Sequence, residues 1–352
     1  LIIFPDLRIF KHLKTSSTSN LLPCFIGKIT TLLLREEKMT YKKIYIVLPA
    51  LLFVALLFFT AYTPENIDER STSNAPQRKT ESFQYVTPPP LPKQLSFAGE
   101  NVPLEQFDIM ERFDRELIVN CYFHSQTIRF IKLAPRYFDI IEPILKKNNI
   151  PDDFKYLAVA ESGFDPRALS PAGAAGIWQL LQGTARDYGL EVTSEVDERY
   201  HIEKATEAAC KYLHESYEKY GDWTTVAASY NAGRKGIDRQ VERQKVSHYY
   251  DMLLSEETNR YVFRILALKT ILENPETYGF NIPKNEIYPK LKAKTIEVKT
   301  SIPDFAVFAN QHNTNYKILK EMNPWLRDTK LTIQADKTYE IKILTNKHHQ
   351  QD

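Results

Sequence analysis

Apolar residues recur at helical spacing through most of the stretch from residue 102 to residue 279, and few segments there alternate with a period of two. Side chains three and four apart share a helix face, whereas a half-buried strand needs strict alternation, so this pattern limits the core to packed helices. The clearest helical stretches are residues 113–122, 140–145, 202–220, 223–231 and 255–273, with Pro275 ending the last. After Pro283 the texture changes: residues 295–299 and 338–343 alternate like strands, and residues 302–311 and 316–322 between them read as short helices. That order predicts a small α+β module at residues 293–345, near the lower size limit for folding alone. The expected fold class is therefore mainly α, a helical domain over residues 102–282 followed by a small α+β unit.

Residues 44–62 contain no charge, are long enough to cross a bilayer, and follow Lys42 and Lys43. Residues 39–62 thus predict an export signal retained as a membrane anchor: Thr60, Ala61 and Tyr62 make a poor cleavage site, and no Cys follows closely enough to take a lipid. The first Met is Met39, so residues 1–38 are expected to be untranslated or disordered. Residues 63–101 are polar, contain Pro88, Pro89, Pro90 and Pro92, and predict a disordered linker. The remainder is expected on the periplasmic face of a bacterial cell envelope.

A net charge of +2, with acids interleaved among the basic residues, excludes the basic face of a nucleic-acid binder. Of three cysteines, Cys24 precedes the apolar run, and Cys121 and Cys210 follow it as either a disulfide or two buried thiols. His348 and His349 lie in a terminal tail, and His201, His214 and His248 lack ligand partners at helical spacing, so no metal or other cofactor is expected.

The residue with most chemical content is Glu161. If Pro151, Asp152 and Asp153 open a helix, Phe154, Leu157, Ala158 and Glu161 fall at i, i+3, i+4 and i+7 on its buried face. Burial disfavours the ionised form, so such a glutamic acid keeps its proton near neutrality and can give it to a leaving group. That is the chemistry of breaking a glycosidic bond. The alternative is a surface glutamate closing a helix before Gly163.

Three later segments bear on this. Residues 170–179, from Ser170 to Gln179, are dominated by Ala and Gly and suit either a cleft wall approached by a bound chain or a tight helix crossing. Tyr230 and Asn231 end a short helix capped by Asp222, just before Gly233. Glu257 begins the last long helix, where an acid suits the helix dipole, and Tyr261 starts its buried stripe with Ile265, Leu268 and Leu272.

Together these segments resemble the lytic transglycosylase family with the goose-lysozyme-like fold, in particular its membrane-bound murein transglycosylase D subgroup. The Glu-Ser motif falls on Glu161 and Ser162, and the Gly-Leu-Met/Trp-Gln motif on Gly176, Ile177, Trp178 and Gln179. The Ala-Tyr-Asn-Ala-Gly motif falls on residues 229–233, and the Glu-Thr-x-x-Tyr-Val motif on residues 257–262. Leu180, Leu181 and Gln182 stand where Phe-Met-Pro is common, and Ser229 replaces an Ala. Asn323, Pro324, Trp325 and Leu326 resemble the Asn-Pro segment of the LysM peptidoglycan-binding repeat.

The resemblance implies a lysozyme-like helical catalytic domain that cleaves the β-1,4 bond between N-acetylmuramic acid and N-acetylglucosamine without water, leaving 1,6-anhydromuramyl ends. It implies Glu161 as acid and then base, Ser170 and Gln179 in contact with substrate, and Tyr230 hydrogen-bonded to the Glu161 carboxyl. Asn231 would shape that site and Glu257 hold the cleft, with Ser162 and Tyr261 as further supporting residues. The expected partners are peptidoglycan glycan strands and, through the N-terminal segment, a membrane. Two rivals remain. A hydrolytic muramidase working by inversion would need a second carboxylate about 6.5–9.5 Å from the acid, for which Asp165 or Asp187 are candidates. A non-catalytic wall-binding protein would have lost the acid or its supporters.

Overall fold

The computed structural model describes residues 86–345. The apolar run at residues 44–62, the residues before it and the His348–His349 tail lie outside that range. Among the described residues, no helix is long and apolar enough to cross a membrane.

The chain enters through a short hairpin, β1 (Ser96–Phe97) and β2 (Glu100–Asn101), paired antiparallel. The helices that follow are α1 (Phe107–Tyr122), α2 (His124–Lys147), α3 (Phe154–Ser162), α4 (Gln182–Asp187), α5 (Ile202–Tyr220), α6 (Trp223–Ala232), α7 (Arg234–Gln244) and α8 (Glu256–Glu273). Helix α8 is buried along most of its length from Thr258 to Ile271, well beyond the single stripe begun by Tyr261, and α1, α3 and α6 pack around it. Helix α1 faces it with Ile109, Phe113 and Leu117, spaced four apart and fully buried.

Two expectations are corrected. The linker was expected to run to residue 101, but the hairpin belongs to the helical domain. Phe97 is wholly buried with its ring 5.2 Å from that of Phe154, and Glu100 accepts hydrogen bonds from the Trp223 and Thr224 backbone N–H groups at 2.6 and 3.0 Å, capping α6. One buried aromatic beside an Ala98–Gly99 turn has no period to read. The helix expected at residues 140–145 is the last part of α2, which runs through Pro135 and Pro143. Each proline removes a helical hydrogen bond, and burial of Phe130, Ile131, Leu133, Ala134, Ile141 and Leu145 along one side outweighs that loss. As expected, Pro151, Asp152 and Asp153 lead into α3, with Asp153 at its N-cap position but its side chain turned elsewhere. Its carboxylate instead accepts from the Ala98 N–H at 2.7 Å and from Lys269 Nζ on α8 at 2.6 Å, tying the start of α3 to the hairpin and the central helix.

The C-terminal unit has the expected strand–helix–helix–strand order: β3 (Ala293–Val298), α9 (Phe305–Gln311), α10 (Tyr316–Met322) and β4 (Tyr339–Leu344). β3 and β4 pair antiparallel with Thr295 opposite Lys342. Asp304 and Asn315 cap the two helices through their side chains, as these residue types do best. This module does not stand alone. Its core of Phe305, Leu319, Trp325, Leu326, Ile341 and Ile343 takes in Ala175, Val196 and Tyr200 from the helical domain. The Asp197 N–H donates to the Trp325 carbonyl at 2.9 Å and the Arg327 N–H to that of Glu195 at 2.8 Å. Sharing a core solves the shortage of buried surface that so small a unit faces.

Cys121 and Cys210 are separate buried thiols, and burial pushes them up to about 11 and about 12. Asn323 is fully buried; its amide donates to the Leu319 and Lys342 carbonyls at 2.9 and 2.7 Å and its oxygen accepts from the Lys342 N–H at 2.8 Å. Asn323→Ala removes the side-chain partner of the Lys342 N–H and of the Lys342 carbonyl, while the Leu319 carbonyl keeps the Asn323 N–H at 3.1 Å, and is expected to cost about 2–3 kcal/mol, measured by urea denaturation followed by tryptophan fluorescence.

Candidate functional site

Glu161 sits in the last turn of α3, one residue before its end. Gly163 closes the helix in the left-handed conformation at φ 57°, and its N–H donates to the Val159 carbonyl at 2.8 Å. A side chain at 163 would press on the Phe130 ring, with a Cβ 2.8 Å from its nearest atom. The helix must therefore stop here, with Phe154, Leu157 and Ala158 buried and Glu161 at the edge of the core.

The Glu161 carboxyl accepts a hydrogen bond from Tyr261 Oη on α8. Burial pushes its pKa up to about 7; the Tyr261 hydrogen bond and the nearby Arg264 charge pull it down, and Glu257 pushes it up again. Burial likewise raises the Tyr261 and Tyr230 phenols well above their ordinary value, so both remain protonated donors. The carboxyl opens into a cavity of about 580 Å³ whose lining includes Asn120, Phe123, Gln126, Arg129, Ser162 and Arg264. A larger cavity of about 720 Å³ lies between α2 and the C-terminal module and shares Arg129 with the first; of the candidate residues it holds Asp165 alone, without Glu161. The smaller one is the candidate site, because it holds the carboxyl whose proton affinity burial has shifted.

Tyr230 does not make the contact expected of it. Its hydroxyl donates to the Trp178 carbonyl at 2.7 Å, while Trp178, fully buried, donates from Nε1 to Thr206 Oγ1 at 2.8 Å. Tyr230 therefore anchors the wall beside the acid, and Tyr261 takes the carboxyl. A buried tyrosine in an otherwise apolar stripe needs a partner for its hydroxyl, and that was the signal available in the sequence for Tyr261. Asn231 and Glu257 do come together: Asn231 Nδ2 donates to Glu257 Oε1 at 3.5 Å, and Thr258 Oγ1 donates to Asn231 Oδ1 at 2.8 Å, joining the end of α6 to the start of α8. Ser162 turns back on its own helix, donating to the Ala158 carbonyl at 3.0 Å.

Ser170 and Gln179 lie on the loop between α3 and α4, which is folded by its own hydrogen bonds. Ser170 Oγ accepts from the Ala174 N–H at 3.0 Å, and Gln179 donates through Nε2 to the Gly176 carbonyl at 2.9 Å, leaving its side-chain oxygen free to accept. This loop is packed by a residue that sequence patterning did not single out. Arg199 is buried, paired with Asp197 at 2.7 Å, and donates through Nη1 to the Gly173 and Leu180 carbonyls at 2.7 and 3.2 Å. Gly176, at φ 77°, lies so close to the Arg199 carbonyl that a Cβ would come within 1.8 Å of its oxygen. The small residues thus admit a neighbouring backbone rather than a crossing helix.

The two carboxylates considered for a water-activating role do not line the Glu161 cavity. Asp165 accepts from the Arg167 N–H at 2.9 Å and faces the larger cavity, and Asp187 is exposed at the end of α4.

Comparison with known proteins gives these elements a class. Residues 139–253 match the family model described as a transglycosylase SLT domain, and residues 294–347 match that of a soluble lytic transglycosylase C-terminal LysM-like domain. Over 199 residues the chain is 34% identical to membrane-bound lytic murein transglycosylase D of Escherichia coli strain K12, covering 54% of this chain and 43% of that protein. It is 30% identical over 168 residues to peptidoglycan transglycosylase gp16 of Escherichia phage T7, covering 46% of this chain and 13% of that one. The solved 70 kDa soluble lytic transglycosylase of Escherichia coli overlays with a TM-score of 0.35 at 21% identity, over 44% of this chain and 27% of that chain. The chain thus spans less than half the length of each of these three proteins.

Two outcomes test the geometry. Gly176→Ala is expected to lose about 3 kcal/mol or more of stability, because neither φ nor the Arg199 backbone can yield cheaply; thermal denaturation reads it. Glu161 has a folded pKa of about 7, above the ordinary carboxyl value of 4.5. It binds more protons folded than unfolded, so stability falls as pH rises from about 4.5 to about 7 and then levels off. Glu161→Gln removes that loss, and should be more stable than wild type by about 2 kcal/mol at pH 8, the difference vanishing below pH 4.5. Denaturant unfolding at a series of pH values measures it.

Proposed function

We propose that this protein is a peptidoglycan lytic transglycosylase that cleaves the β-1,4 bond between N-acetylmuramic acid and N-acetylglucosamine and leaves a 1,6-anhydromuramyl end. The observation that carries the reading is a single carboxyl, Glu161, whose pKa of about 7 lets it hold a proton at neutrality and still release it. Glu161 gives its proton to the glycosidic oxygen as the C1–O bond breaks and the N-acetylglucosamine chain departs. The resulting carboxylate takes the proton of the muramyl 6-hydroxyl while that oxygen bonds to C1 of its own ring. Glu161 ends protonated as it began, and no water is consumed. The match to the SLT and LysM-like domains supports this reading, as does the likeness to a relative named for acting on murein.

On this reading the other candidate residues take supporting roles. Tyr261 holds the carboxyl oriented and takes up part of its charge after the proton has left. Gln179, with a free amide oxygen, and Ser170 offer contacts for sugar hydroxyls beside the acid. Tyr230 braces the wall through Trp178, and Asn231 with Glu257 closes the end of the cleft between α6 and α8. Ser162 contributes a polar group to the cavity lining. Residues 102–282 would form the catalytic unit and residues 293–345 a glycan-binding module. Residues 44–62 would anchor the protein in a membrane of the cell envelope, with the catalytic unit facing the periplasm and residues 63–94 as the tether.

Inverting hydrolysis needs a carboxylate that activates water opposite the acid, and among the described residues the two considered for it, Asp165 and Asp187, do not line the Glu161 cavity, while Glu257 is engaged by Asn231. Digestion of purified sacculi is expected to release fragments with anhydromuramyl ends, read by mass spectrometry as products lacking one water per cleavage. Reducing muramyl ends on every fragment would overturn the reading. Glu161→Gln should reduce turnover by at least about a thousandfold with the fold intact. In wild type, activity should fall as pH rises through about 7, where the acid form is lost.

A further inference from the structure

Glu116 of α1 is a carboxylate almost entirely removed from solvent, far from the chain ends and unused by the proposed reaction. Arg260 Nε donates to its Oε1 at 2.5 Å, but Oε2 is buried with no hydrogen-bond partner. Arg264 Nε lies 3.7 Å from Oε2, an ion pair without a hydrogen bond. Buried carboxylate oxygens are seldom left in this state without a reason. Arg264 also lines the Glu161 cavity and lies one turn after Tyr261 on the same face of α8, and its side chain is one-third exposed to the cavity's solvent. One guanidinium thus stands between two carboxyls, one permanently buried and the other the proposed acid.

We propose that Arg264 is a positioning residue for Glu161, held back by Glu116 so that its charge bears on the Glu161 carboxylate without pairing with the acid directly. This rests on the catalytic role of Glu161 proposed above. Guanidinium bound tightly to Glu161 would hold the carboxyl ionised, with no proton to give. Guanidinium locked onto Glu116 would be neutralised there and give the carboxylate little support once the proton had left. The 3.7 Å pair leaves Arg264 tethered and its planar fork free on the cavity side. The charged or titratable groups that meet Glu161 in this arrangement are Tyr261, Arg264 and Glu257 from α8, Tyr230 from α6 and Arg129 from α2.

The test reads the Glu161 carboxyl itself in the full chain. Glutamate labelled with carbon-13 at the carboxyl is titrated by NMR, and the Glu161 signal is assigned by its loss in Glu161→Gln. Arg264→Gln is expected to raise the Glu161 midpoint by about half a pH unit or more, Arg264→Lys to restore it close to wild type, and Glu116→Gln to lower it. A role confined to packing would change the melting temperature and leave the midpoint alone. An unmoved midpoint in both Arg264→Gln and Glu116→Gln would overturn the proposal, and if Arg264→Gln fails to fold, Glu116→Gln and Arg264→Lys decide it. Because the readout is a titration, it separates from the functional reading. Full activity in Glu161→Gln sinks the catalytic role whatever the midpoint does, whereas an inactive Glu161→Gln with unmoved midpoints sinks only the role of Arg264.

Discussion

The buried pair between Asp197 and Arg199 joins the two halves of this protein. The Arg199 guanidinium holds the Gly173 and Leu180 carbonyls of the loop beside Glu161, and its own carbonyl fills the space that Gly176 leaves by having no side chain. Two residues earlier, the Asp197 N–H reaches into the C-terminal module through the Trp325 carbonyl. Taking both charges out of water is costly, and this pair recovers the cost through near-complete satisfaction: Asp197 accepts from the Arg199 backbone N–H, Nε and Nη2, and Nη1 is shared between two carbonyls. Removing either partner would strand the other and release the loop and the module contact together.

The second constraint is the central helix α8. It is buried nearly throughout, so it has no freedom to tilt or slide, and it carries Tyr261 and Arg264 on the face toward Glu161 and Glu257 and Thr258 at its start. Rigid backing matters because a hydrogen bond to a carboxyl shifts its proton affinity only while donor and acceptor stay in register. Lys269 on the same helix pairs with Asp153 at the start of α3, so α3 is tied to α8 at both of its ends, once by an ion pair and once by the Tyr261–Glu161 contact. The acid is held by the element that also builds the core.

Much of this was legible because helical periodicity is a local signal. The long helices, the strand–helix–helix–strand order of the module and Glu161 on the buried side of α3 all follow from spacing alone. The errors arise where a long-range partner decides. Pro135 and Pro143 signal a break, yet α2 continues because its buried side packs on α3 and α5. Phe97 gives no period, and its burial depends on Phe154, far along the chain. Tyr230 and Tyr261 are chemically alike, and which hydroxyl meets Glu161 depends on the Trp178 carbonyl having already engaged Tyr230. Arg199 and Glu116 were invisible for a related reason: a charged residue in a helix or turn is read as surface until its partner is known.

The docking of the C-terminal module bears on the loop that flanks the acid. Ala175 belongs to the module's hydrophobic core, and it is also bridged to Leu169 and Leu180 within the loop that carries Ser170 and Gln179. Val196 bridges to Leu326 and Tyr200 packs beneath the Arg327 guanidinium at 4.2 Å, so the segment supporting Arg199 is clamped from the module side as well. A loop made of Ala and Gly has little side-chain contact of its own and would lose much backbone entropy on ordering. Its order must then come from its surroundings, and two of those are Arg199 and the module. On this view the module contributes to the site by holding a side-chain-poor wall in one conformation, independently of any affinity it has for glycan.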